Sequence, residues 1–145
     1  FGLSNKELNN ISVTPIQVPH RDEYSETAGY IIQGKNKKAL FIPDIDKWEK
    51  WDKNLVQLTE EFDYLLLDAT FYDAEEINRD ISEIPHPLVT ETINLLDSLS
   101  LEAKSKVYFI HMNHTNRMLD PNSDLSRLVK SKGFNIVRLG QRLYL

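Results

Sequence analysis

The chain has 145 residues, 41% of them hydrophobic, which suffices for one domain with a buried core. A formal net charge of -5, with Lys and Arg scattered, gives no electrostatic footprint for nucleic acid or an anionic membrane. Without cysteine there are no disulfides, thiolate metal sites or cysteine nucleophiles, and no apolar run approaches the roughly 20 residues that span a bilayer.

In chain order, Ile11 to Val18 alternates apolar and polar residues and predicts a half-exposed strand that tolerates Pro15 at an edge. Ala28 to Ile32 and Ala39 to Ile42 flank the polar turn Gly34-Lys35-Asn36-Lys37, a hairpin signal. Trp48, Trp51, Leu55, Leu58 and Phe62 recur at spacings of three and four, predicting one amphipathic helix with Asp46 as its N-cap. Tyr64 to Leu67 is a continuous apolar run ending in Asp68, as in a strand buried on both faces.

Asp73 and Glu76 have capping-box spacing for a short helix. Pro87 suits the first turn of another, with Leu88, Thr92, Leu95, Leu96 and Leu99 inward. Val107 to Ile110 predicts a compact strand, 124 to 132 a helix stopped by Gly133, and Asn135 to Leu139 and Arg142 to Leu145 two closing strands. The alternation of strand and helix character predicts an α/β layer fold in a single unit, 1–145.

Chemistry-bearing side chains sit where these strands give way to loops, in Pro19-His20-Arg21-Asp22, Phe41-Ile42-Pro43-Asp44 and Phe109-Ile110-His111-Met112-Asn113-His114. Imidazole and carboxylate in that combination suit zinc or iron. Each also has a plain reading. A lone histidine among charged residues, as His20 is, is usually a solvated surface group; Asp44 is otherwise a turn residue, and Asp68 a strand-end residue or a support for a metal ligand. His86, between two prolines, contacts a substrate anion or moves a proton, or else caps a helix. His111 ends an apolar strand, where a polar side chain needs a partner. His114, three residues on in an extended segment and so facing the opposite side, either supports the site from behind or is exposed.

Val18-Pro19-His20-Arg21-Asp22-Glu23-Tyr24, Thr27-Ala28-Gly29-Tyr30, Leu40-Phe41-Ile42-Pro43-Asp44-Ile45-Asp46, Asp68-Ala69-Thr70-Phe71-Tyr72, His86-Pro87-Leu88-Val89 and Phe109 to Asn116 run in order through most of the chain. Together they resemble the C-terminal half of the metallo-β-lactamase fold superfamily, and within it the family of pyrroloquinoline quinone biosynthesis protein B. The resemblance implies half of a four-layer αββα sandwich, a mixed sheet with helices on one face. It implies His20, Asp44 and His111 as metal ligands, Asp44 bridging two ions, with His86 beside the substrate and Asp68 supporting the site as the catalytic pair.

The superfamily's His-x-His-x-Asp-His loop occurs nowhere in the chain. The chain also opens on Phe1-Gly2 without Met, so the expectation is a C-terminal half whose other half, with most of the ligands, is absent. Such a piece would bind metal weakly and be inactive alone. It would expose strand residues around Tyr30, Phe41, Leu66 and Phe109, and so self-associate or pair with the missing half.

For the whole protein the resemblance implies a metallohydrolase, one or two zinc or iron ions activating water against a small anionic, ester or amide substrate. Alternatives are an iron-dependent oxidation in quinone cofactor biosynthesis and a non-catalytic binding remnant of the fold. A nuclease is disfavoured by the acidic balance. Neither nucleic acid nor membrane is expected as a partner. The cytoplasm is favoured, a lost leader remaining open.

Overall fold

A computed structural model describes residues 6–8, 10–21, 23–77, 80 and 83–145. Asp22 and Phe1-Gly2, named above, lie outside them. Among the described residues seven strands form one sheet in sequential order: β1 (Lys6–Leu8), β2 (Ile11–Val18), β3 (Thr27–Gln33), β4 (Lys38–Ile42), β5 (Tyr64–Asp68), β6 (Val107–Ile110) and β7 (Asn135–Ile136). Strands β1 to β4 are antiparallel neighbours, whereas β4 to β7 are parallel. The sheet is therefore mixed, as expected. Among the described residues the α-helices are α1 (Leu55–Glu61), α2 (Val89–Leu95), α3 (Leu101–Lys104) and α4 (Asp124–Ser131).

Period-two alternation divides the strands between two faces. Leu40, Ile42, Leu65, Leu67, Val107, Phe109 and Ile136 point one way and form the core with Leu55, Leu58, Phe62, Val89, Ile93, Leu96 and Val129 from α1, α2, α4 and their ends. Pairing register aligns Tyr30, Phe41, Leu66 and Tyr108 across the other face. None of these four belongs to the core cluster, and Tyr30 is exposed. Phe109, expected on this open face, is fully buried on the helical one. A one-residue offset in an alternating strand exchanges faces, and Tyr108 takes that place.

Several elements differ from the sequence expectation. The continuous helix after Asp46 is two pieces, a 3-10 turn at Trp48–Lys50 and then α1. Asp46 caps neither. Its carboxylate accepts from Lys47 N and from Lys50 Nζ, each at 2.7 Å. Both indoles are anchored separately, Trp48 Nε1–H on Thr92 Oγ1 and Trp51 Nε1–H on Gln17 O. Trp51 is extended, and Asn54 restarts the helix by accepting from Val56 N and Gln57 N.

Pro87 lies before α2, whose N-cap is Leu88; Glu91 accepts Leu88 N at 2.9 Å, so His86 caps nothing. Leu95, expected inward, is exposed. The segment after Ile136 is not a strand. Arg138 donates to the carbonyls of Met118 and Leu119 and to Ser126 Oγ, and Gly140 turns the chain at φ 83°. Helix α4 does end at Gly133, whose φ of 95° is the left-handed stop expected of it. No helix of the described residues is long and apolar enough to cross a membrane.

Candidate metal centre

Two antiparallel steps from β2 to β4, then parallel pairing from β4 through β6, make β2, β4, β5 and β6 run in one direction. Their carboxyl ends therefore share one rim. His20 follows β2, Asp44 follows β4, Asp68 ends β5 and His111 follows β6, so residues far apart in sequence arrive at the same edge. Backbone hydrogen bonds tie the loops together: Asp46 N to Pro19 O, Ala69 N to Ile110 O, and Asn113 N to Thr70 O.

His20 Nε2 lies 2.6 Å from Asp44 Oδ1. Both atoms are buried, yet neither completes a hydrogen bond. A buried nitrogen and a carboxylate oxygen that face each other without hydrogen-bond geometry are costly by themselves and suit two donors to one cation. His86 Nδ1 is 3.4 Å from the same Asp44 oxygen. Potential ligand atoms of His20, Asp44 and His86 all lie within 4.8 Å of one another, as do those of Asp44, Asp68 and His111. Asp44 belongs to both groups, the position that a bridging carboxylate would take.

Asp68 is fully buried and well satisfied. Its Oδ1 accepts Thr70 N at 2.8 Å and Thr70 Oγ1–H at 2.7 Å; its Oδ2 faces His86 Nδ1 at 2.8 Å and Ile45 N at 3.3 Å. Burial pushes its pKa up, but interactions with His111, His86 and Thr70 outweigh burial and hold it below the usual carboxylate range. His111 shifts the other way. The Asp68 carboxylate, 3.9 Å from Nδ1, raises the His111 pKa against the effect of partial burial.

His111 has φ 59°, a left-handed conformation that non-glycine residues seldom adopt. Backbone held there at a strand end is the kind of strain that gathers at functional sites. Asn116 over-determines it. This residue is 2% exposed, its Nδ2–H donates to Ala69 O at 2.8 Å, and its Oδ1 accepts Met118 N at 2.9 Å, pinning the His111 loop onto the end of β5.

The five residues singled out in the sequence thus share one rim, and His86 stands within ligand range as well as beside Asp68. His114 is exposed, its backbone N and its Nδ1 each 2.9 Å from Asn113 Oδ1, and it belongs to neither group. Thr70 and Asn116 stand in the sequence blocks above without a role assigned to either. Thr70 carried a signal, a hydroxyl two residues after a strand-end aspartate, which is a local turn-bonding pattern. Asn116 carried none, because its bonds reach 47 and 46 residues back.

A sequence profile described as "Beta-lactamase superfamily domain" matches residues 4–112. No curated protein matches the chain in sequence. Among solved structures, Zn(2+)-bound PqqB from Methylobacterium extorquens is 20% identical with TM-score 0.72 over 99% of this chain and 54% of its own. A diphosphatase of the PhnP family is 20% identical with TM-score 0.61 over 100% and 47%. A possible metal-dependent hydrolase from Veillonella parvula is 14% identical with TM-score 0.59 over 94% and 55%. The chain thus spans about half the length of the structures it matches. With the profile covering about three quarters of its length and the sheet and helices of that fold, the chain belongs to the beta-lactamase superfamily, with the metallo-β-lactamase fold.

Proposed function

We propose that the chain is part of a metal-dependent hydrolase in which His20, Asp44 and His111 hold one or two divalent cations, zinc or iron. The observation that carries this reading is the pair His20 Nε2 and Asp44 Oδ1, buried and 2.6 Å apart with no hydrogen bond to either atom. When bound, such a cation brings the pKa of a coordinated water to about 7 and polarises the substrate oxygen.

This chain's own residues do the rest. Asp68 accepts the Nδ1 proton of His86, which fixes the ring and leaves Nε2 free to orient an anionic substrate group or return a proton to the leaving group. Backbone hydrogen bonds between the loops, Asp46 N to Pro19 O, Ala69 N to Ile110 O and Asn113 N to Thr70 O, support a pre-ordered arrangement of these groups. Three ligands divided between two positions make a weak site, so we assign the remaining ligands to a second half of the protein. The likeness to a diphosphatase and to a possible metal-dependent hydrolase supports hydrolysis of a small anionic ester or anhydride.

The test is turnover of chromogenic phosphodiesters and carboxylic esters by the longest protein that contains this chain, loaded with zinc or iron. Hydrolysis that requires added metal and falls about 10²- to 10⁴-fold in His86→Ala supports the reading. Hydrolysis indifferent to metal, or none with either ion, contradicts it. The resemblance to the pyrroloquinoline quinone biosynthesis protein B family gives a second reading, an iron-dependent oxidation in quinone cofactor biosynthesis, although the PqqB structure the chain is similar to is Zn(2+)-bound. Oxygen consumption by the iron form with no hydrolysis by the zinc form would select it.

A further inference from the structure

Thr70 is 9% exposed, and its hydroxyl lies among four polar atoms: Asp68 Oδ1 at 2.7 Å, His111 Nδ1 at 3.2 Å, His86 Nδ1 at 3.3 Å and His111 O at 3.3 Å. A threonine hydroxyl has one proton to give and two lone pairs to receive. The proton goes to Asp68 Oδ1, the nearest acceptor and the charged one. His86 Nδ1 is nearer to Asp68 Oδ2, at 2.8 Å, and gives its own proton there. One donor is left to fill the hydroxyl's lone pair, Nδ1–H of His111. No carboxylate reaches that nitrogen directly, since Asp68 Oδ1 is 3.9 Å from it.

Building on the metal reading above, we propose that Thr70 is the positioning residue of His111. Its hydroxyl relays the Asp68 carboxylate to a second histidine, fixes the Nδ1–H tautomer there, and so leaves Nε2 as the nitrogen that His111 offers to a cation. One buried carboxylate thereby orients two imidazoles, His86 directly and His111 through a hydroxyl. Outer partners of metal-binding histidines commonly select tautomer and ring orientation in this way, but through a direct carboxylate or carbonyl contact. Here the Thr70 hydroxyl, 3.2 Å from His111 Nδ1, stands nearer to that ring than the Asp68 carboxylate at 3.9 Å.

The test reads the tautomer rather than activity. Chain labelled with ¹⁵N-histidine, stripped of metal with EDTA and held at a pH where the imidazoles are neutral, is compared as wild type, Thr70→Ser and Thr70→Val by long-range ¹H–¹⁵N correlation. The proposal expects a protonated Nδ1 at His111 in wild type and Thr70→Ser, and loss of that preference in Thr70→Val. It also expects Zn²⁺ to move the His111 Nε2 resonance, with affinity about 10- to 100-fold lower in Thr70→Val and restored by Thr70→Ser. A wild-type His111 protonated on Nε2 overturns the proposal, even if Thr70→Val does not fold, and so does a folded Thr70→Val with the wild-type tautomer. If Zn²⁺ moves no histidine resonance in any variant, the metal reading fails while the tautomer result still decides the role of Thr70.

Discussion

Asp44 meets two imidazoles through one oxygen, 2.6 Å from His20 Nε2 and 3.4 Å from His86 Nδ1. The pH behaviour of the site follows from its neighbours. His111 has a raised pKa, so in the metal-free chain its pairing with Asp68 contributes stability fully below pH 6.5, lost as pH rises through the raised value. Asp68 has a lowered pKa and contributes stability above pH 3.8, lost on acidification through the depressed value. Metal uptake has the opposite sense to the His111 contribution, because a cation needs the neutral ring. Zn²⁺ affinity measured by competition with a chelator is predicted to rise from pH 6 to pH 8, and a flat profile would separate His111 from the metal. Asn116→Ala leaves the buried Ala69 carbonyl without its donor and is predicted to cost about 1–3 kcal/mol in denaturant unfolding. Strand-end histidines and aspartates could be read from local pattern. Asn116 could not, because its role exists only once β5 and β6 are paired.

Among the elements, the strands were the most legible. The spans 11–18 and 107–110 and the β3–β4 hairpin follow directly from alternation, apolar run length and a glycine-containing turn. Helix boundaries were less so. The spacing of Trp48, Trp51, Leu55 and Leu58 fits one helix, but periodicity cannot tell a continuous helix from a turn and a helix that share a buried face. What decides is Asn54, whose side chain accepts two backbone N–H groups at the start of α1. Asn54→Ala is predicted to lower stability by about 1 kcal/mol in thermal or denaturant unfolding, whereas a continuous helix would gain from alanine there. The closing strands, present only as β7 at Asn135–Ile136, fell short for a related reason. Their apolar pattern is local, while Arg138 ties that segment to the carbonyls of Met118 and Leu119.

For the whole molecule, the helices cover one face of the sheet and leave the row Tyr30, Phe41, Leu66 and Tyr108 on the other. We propose that in the isolated chain this row is a contact surface for a second copy. Sedimentation of the chain should then depend on concentration, and Tyr108→Lys should shift it toward monomer. A chain that stays monomeric at every concentration would count against the proposal. The same architecture gathers four parallel strand ends at one rim, which gives the metal reading its most direct test. Equilibrium dialysis against Zn²⁺ at pH 7.5 is predicted to show binding by the wild-type chain that falls at least about 100-fold in Asp44→Asn, at or beyond the upper end of the cost of losing an outer partner. Equal binding by the two, or none by wild type at millimolar zinc, would contradict the account.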